Sequence, residues 1–175
     1  MKEELIILSD IWGKSQSDWI DNYVKALKNN FTIRYYDCCE LAGIDSKINQ
    51  KEELHQQFLS FGIELAVQKL SEQEQNNVSI LAFSIGGVIA WKFGLKTTRL
   101  KNLFCVSSTR LRLETDKPKG FIKLLYGKED SFVPPEIWFK TMNLNPTFFE
   151  NQGRDLYSEK EFSEIISKEL IKFID

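Results

Sequence analysis

The chain has 175 residues, 42% of them hydrophobic and 13% aromatic, with 23 basic against 25 acidic side chains. That length suits a single domain, residues 1–175, able to bury about two-thirds of its surface. A net charge of −2 argues against a nucleic-acid partner, and no apolar run approaches the ~18 residues of a membrane span.

The opening Met1-Lys2-Glu3-Glu4 leads into a short apolar run and lacks the pattern of a signal peptide. The three cysteines are odd in number, two are adjacent, and no C-x-x-C occurs. A disulfide framework or a metal site is not expected, nor is a cofactor, and a reducing cytoplasm fits.

The first strand is predicted over residues 4–10. A helix follows from Ser17-Asp18-Trp19-Ile20, with Ser17 as N-cap and Trp19, Ile20, Tyr23, Val24 and Leu27 on one face. A second strand covers 31–37. A long helix is predicted over 51–71, with Leu54, Phe58, Phe61, Leu65 and Val67 apolar and Gly62 weakening it midway. A third strand covers 78–84, and a helix from Ile85 to about Leu95 carries Val88, Ile89, Trp91 and Phe93. Strands at 103–108 and 120–127 come next, then a short helix within 134–144 around Trp138, and a strand at 146–150. Ser158-Glu159-Lys160-Glu161 reads as a capping box opening a terminal helix with Phe162, Ile165, Ile166, Leu170 and Phe173.

Runs such as Leu5-Ile6-Ile7-Leu8 and Ile80-Leu81-Ala82-Phe83 are apolar without alternation, as in strands buried on both faces. Strand and helix alternate, which predicts a doubly wound, mostly parallel α/β sheet. Sites in such sheets gather at the carboxyl ends of strands. Those ends carry Asp10, Asp37, Ser84, Ser107-Ser108-Thr109-Arg110, Lys128-Glu129-Asp130 and Asn151.

Ala82-Phe83-Ser84-Ile85-Gly86-Gly87 puts a serine at a tight strand-to-helix turn, with glycine where a side chain would strike the strand. Such a serine suits a nucleophile, and a serine nucleophile needs a base. The chain has one histidine, His55, within the 51–71 helix. The turn resembles the G-x-S-x-G nucleophile elbow of the α/β-hydrolase superfamily, with Ala82 in the first place. Gly127-Lys128-Glu129-Asp130-Ser131-Phe132-Val133-Pro134 resembles that superfamily's acid loop, G-x-x-D-x-x-V-P. Ser9-Asp10-Ile11-Trp12-Gly13 resembles its H-G-x-G oxyanion loop, closest to the H-G-W-G form of pimeloyl-carrier-protein methyl esterases. Asp10 stands there for the histidine and Ile11 for the first glycine. After the last strand, Gly153 matches the usual glycine and Arg154 stands in place of the triad histidine.

The resemblance spans the chain. It implies a six-stranded sheet in the order 2-1-3-4-5-6 with helices on both faces and no cap domain. It also implies Ser84 as nucleophile, Asp130 as the acid, and the N–H groups of Ile85 and Trp12 as oxyanion donors.

Arginine cannot act as a base, so the triad is incomplete. His55 is expected on the surface or in helix packing. Asp10 or Asp130 could act directly if burial raised its pKa, or Ser84 has ceased to be a nucleophile. Arg110, Arg112 and Arg154 could form a cationic wall for a carboxylate or phosphate. The plainer expectation pairs these arginines with Asp10, Glu114 or Asp116, including an Arg154–Asp10 lock. Asp10, Arg110 and Arg154 are the candidate substrate-binding residues.

Two functions result. One is a small serine hydrolase acting on an ester or thioester, weakly or atypically. The other is a non-catalytic relative that binds a small anionic ligand or a protein partner. A third, interaction-only reading would use Trp138, Phe148 and Phe149.

Overall fold

A computed structural model describes residues 2–45, 47–48 and 50–174; the start at Met1 lies outside them. The elements in chain order are β1 (Glu3–Leu8), α1 (Ile20–Leu27), β2 (Phe31–Tyr36), α2 (Cys38–Ala42), α3 (Lys51–Gln57), α4 (Ile63–Gln73) and β3 (Val78–Phe83). They continue with α5 (Ile85–Thr97), β4 (Leu100–Val106), β5 (Phe121–Gly127), α6 (Glu136–Met142), β6 (Thr147–Phe149) and α7 (Lys160–Ile174). Single turns of 3-10 helix lie at Lys14–Gln16, Leu111–Leu113 and Arg154–Ser158.

The six strands form one sheet in the order β2-β1-β3-β4-β5-β6, and all five pairings are parallel. The doubly wound expectation and the implied order both hold. β3 is buried along its whole length, because helices cover both faces of the centre. One apolar layer joins Ile6, Leu8, Ile80 and Ala82 to Phe58, Val67, Val88 and Trp91. The other joins Leu5, Ile7, Leu81 and Phe83 to Tyr23, Leu27, Ile166 and Leu170 of α1 and α7. Successive strand residues thus serve opposite layers, and each large side chain buried contributes roughly 1.5–3 kcal/mol. Between β4 and β5 stands only the short turn at Leu111–Leu113, so no cap covers the carboxyl ends. No helix among the described residues is long and apolar enough to cross a membrane.

Local expectations fail in four places. Ser17 does not cap α1, which starts at Ile20; its hydroxyl donates to Asp10 Oδ1 at 3.1 Å. The capping box at Ser158 does not form: α7 begins at Lys160, and the Ser158 hydroxyl donates backward to Asp155 O at 2.8 Å. The helix predicted over 51–71 is broken by a π-helical turn at Phe58–Gly62. A Cβ on Gly62 would lie 2.9 Å from Ile44 Cδ1, so the chain passes close to the α2 region there. A π turn shifts the helical phase, and Phe61, expected on the apolar face, is 45% exposed.

The fourth miss is α2 itself. Asp37 caps it, accepting from Cys39 N at 2.7 Å and Glu40 N at 3.2 Å. Gly43 closes it in a left-handed conformation at φ 66°. The cap and the glycine were visible in the sequence, but the five-residue helix was too short to show a periodic stripe.

Candidate functional site

β3 ends at Phe83, and Ser84 turns the chain into α5 with φ 50° and ψ −114°. A non-glycine residue in this region carries strain that the surroundings must hold. Ser84 N donates to Val106 O at 3.0 Å, and Thr109 N donates to Ser84 O at 3.3 Å, so both sides of the turn are tied to the β4 end. A Cβ on Gly86 would lie 2.6 Å from Ser9 O; only glycine lets α5 start this close to β1. Ile85 begins α5, where the first-turn N–H groups have no partner within the helix.

The β5 end brings in Asp130 and, through it, Arg154. A Cβ on Gly127 would meet Gln152 O and Gly153 O, each 2.3 Å away. Glycine there lets the segment after β6 pass against the strand, and Glu129 N donates to Gln152 O at 2.9 Å. Arg154 follows directly. Its Nη2 donates to Ser84 Oγ at 2.8 Å, and its guanidinium lies 4.4 Å from the centre of the Phe132 ring. The position where the histidine was expected does reach the serine, and it delivers a cation that donates to Oγ.

Asp130 is buried. Its Oδ1 accepts from Phe132 N at 2.9 Å, while Oδ2 is buried without a hydrogen-bond partner. Burial raises its pKa above the ordinary carboxylate value, against the Phe132 N–H bond and the nearby Arg154 charge.

Asp10 is also buried. Its carboxylate accepts from Trp12 N at 2.9 Å, Ser17 Oγ at 3.1 Å and Tyr157 OH at 3.2 Å. Burial raises its pKa too, in spite of those donors. Asp10 makes no pair with Arg154, so the expected lock is absent. The Trp12 N–H, a candidate oxyanion donor, is occupied by Asp10 in this structure.

Ser84 opens into a cavity of about 210 Å³. Ile11, Trp12, Ile85, Phe132 and Tyr157 supply apolar or aromatic surface, and Lys51, Arg110, Arg112 and Arg154 supply four cations. His55, Glu52 and Asp155 complete the polar lining beside Ser84 and Thr109. None of the four cations forms an ion pair among the described residues. The acids expected to neutralise the arginines are engaged elsewhere. Glu114 lies 3.7 Å from Lys92, Asp116 accepts from Thr115 Oγ1 at 3.2 Å, and Asp10 is bonded as above.

His55 and Lys51 were missed as site residues. α3 and α4 run back over the sheet toward the start of β3, so the beginning of α3 lies at the carboxyl ends of the strands. That direction follows from a parallel crossover and was the available signal. His55 lines the cavity, and its pKa is lowered, first by burial and then by Arg110, Arg154 and Lys51. Trp138, expected as an exposed aromatic, is buried and donates from Nε1 to Glu114 O at 2.9 Å.

No family model matches the sequence, and no curated protein sequence does either. Solved structures do match. An alpha/beta hydrolase enzyme from the metagenome of Mar Chica lagoon sediments is 14% identical, with a TM-score of 0.69, over 100% of this chain and 93% of that one. The fold is that of the α/β hydrolases. Est1E from Butyrivibrio proteoclasticus, with ferulic acid bound, shares this α/β-hydrolase fold at 13% identity and a TM-score of 0.67, over 99% and 88% of the two chains. So does a dienelactone hydrolase-like promiscuous phosphotriesterase from metagenomic libraries, at 12% identity and a TM-score of 0.69, over 97% and 84%.

Proposed function

We propose that this α/β-hydrolase-fold protein receives a small organic anion, a carboxylate or a phosphate, against Ser84 and Arg154. The observation that carries this is the 2.8 Å bond from Arg154 Nη2 to Ser84 Oγ, made inside a cavity whose other three cations form no ion pair among the described residues. Arginine supplies a planar fork suited to carboxylate and phosphate and cannot accept the serine proton. Arg110 and Lys51 extend the positive rim, and Trp12 and Phe132 offer ring surface to the ligand body. The ferulic acid held by Est1E is itself an aromatic carboxylic acid, which supports this ligand class.

A second reading is ester or thioester hydrolysis with Ser84 as nucleophile and the Ile85 N–H as oxyanion donor. It is favoured by one observation: His55, with its lowered pKa, lines the same cavity, and a neutral imidazole can take a proton. Asp130 in that reading has no base to orient, because Arg154 occupies the place between it and Ser84.

Two measurements separate them. Benzoate and inorganic phosphate should raise the melting temperature of the wild type and not of Arg154→Ala. An equal shift in both proteins would remove the anion reading. A fluorophosphonate probe should leave Ser84 unlabelled over hours; prompt labelling, lost in Ser84→Ala and slowed in His55→Gln, would establish the hydrolytic reading instead.

A further inference from the structure

Arg110 stands out among the cavity cations by its backbone. It follows Thr109, whose N–H donates to Ser84 O at 3.3 Å, so the elbow itself holds it in place. Its conformation is left-handed, at φ 66° and ψ −5°, which suits glycine or asparagine and strains other residues. The turn therefore gives no reason for an arginine. Packing gives none either: the half-buried guanidinium forms no hydrogen bond or ion pair among the described residues. Strained residues of this kind gather at ligand clamps. The cations also face one space. Arg110, Arg154 and Lys51 each lower the His55 pKa, and all three line the cavity with Ser84. Four cations there stand against two carboxylates, Glu52 and Asp155, and a neutral His55 adds no charge. The excess is two positive charges, one more than a single carboxylate at Arg154 offsets. The two guanidiniums enter from different connections, one after β4 and one after β6, so each presents its own fork.

We infer that the ligand carries two anionic groups on a short scaffold, one held at Ser84 and Arg154 and the second at Arg110. This rests on the anion reading above and narrows it from any small anion to dianions of the dicarboxylate kind. A planar arginine fork takes one carboxylate in bidentate fashion, so each group has its own arginine, and Arg110 selects for the second. Lys51 and Arg112 are exposed and contribute field instead of a fixed contact. The cavity volume of about 210 Å³ keeps the scaffold short.

The test is calorimetric titration of the full-length protein at neutral pH with malonate, succinate, glutarate and adipate, each against the monocarboxylate of the same carbon count. The turn fixes the position of Arg110, so one spacing should stand out. That dicarboxylate should bind about tenfold more tightly than its monocarboxylate, the scale of one added charge-assisted contact. Arg110→Gly suits φ 66° and should melt no lower than the wild type. In this variant the preference should fall to about twofold or less. Arg110→Asn, also tolerant of positive φ, should do the same, and Arg112→Ala should keep the preference. A preference that survives both Arg110 variants, or that Arg112→Ala removes equally, would overturn the assignment, because the cavity then responds to charge alone. Equal binding of dicarboxylates and monocarboxylates by the wild type would overturn the second anionic group and leave the anion reading standing. Absence of binding by every acid of the series would overturn the anion reading itself, and this inference with it.

Discussion

Two regions of this molecule use the same ingredients to opposite ends. Beside β2, the buried carboxylate of Glu74 meets Arg34 at 2.8 Å and accepts from Tyr36 OH. Arg99 closes the cluster, donating to Glu74 O at 2.6 Å and Ser71 O at 3.1 Å. At the carboxyl ends of the strands, the buried Asp130 keeps one oxygen without a partner. The nearby Arg154 spends its hydrogen bond on a serine instead. The first region meets its buried carboxylate with a cation and a hydroxyl, and of the side chains in it only Arg34 Nε is buried without a partner. The second leaves its cations without ion pairs among the described residues and one oxygen of Asp130 unbonded, an arrangement costly to stability.

The comparison can be broken first at Glu74. Glu74→Ala should cost about 2–3 kcal/mol in urea denaturation, less than a fully buried pair because Arg34 is partly exposed. Anion affinity should not change. A loss under about 0.5 kcal/mol, the range of ordinary surface substitutions, would erase the distinction between the regions.

A second test converts the open region. Arg154→His places an imidazole between Ser84 Oγ and the free oxygen of Asp130. Hydrolysis of p-nitrophenyl acetate should rise on the order of 10²-fold, the usual scale of general-base assistance. The gain should vanish on adding Asp130→Asn. No gain would mean that Asp130 and Ser84 do not flank the vacancy as argued.

Smaller effects follow from the buried acid of the first loop. The folded pKa of Asp10 is raised above 3.8, so its contribution to stability is present below that pH and is lost as pH rises through the folded value. Asp10→Asn removes the charge and retains an acceptor for Trp12 N–H. It should gain roughly 1 kcal/mol at pH 7 and flatten the stability profile between pH 4 and pH 7. Unchanged curvature in thermal melts across that range would contradict it.

The smallest shift concerns His55, whose folded pKa lies below 6.5. Its stabilising contribution is present above pH 6.5 and is lost as pH falls through the folded value. A bound anion offsets the surrounding cations, so saturating benzoate should raise the His55 pKa in an NMR titration. An unmoved value would place the ligand away from His55.

Much of this was written locally in the chain. The uninterrupted apolar runs identified the covered strands, because a strand buried on both faces has no polar side to show. The serine followed by two glycines marked the elbow, because no side chain fits where α5 approaches Ser9 O. Gly127 and Asp130 marked the turn after β5, and Gly153 marked the segment that brings Arg154 to Ser84. The α2 helix and the capping at Ser158 were misjudged because short polar stretches support several hydrogen-bonding solutions of similar energy.

Sequence alone therefore determined the layers of the sheet and the tight turn at Ser84, and it put Arg154 where the resemblance led us to expect a histidine. Tertiary structure alone decided where the charges go: that Arg154 donates to Ser84, that Asp10 turns to Trp12, Ser17 and Tyr157, and that Lys51 and His55 enter the same cavity. The physical reason is one of range. Apolar periodicity and glycine clearance are properties of neighbouring residues and of backbone approach. The partner of a long charged side chain is settled by competition among groups brought together from opposite parts of the chain, as with Ser84 and Arg154.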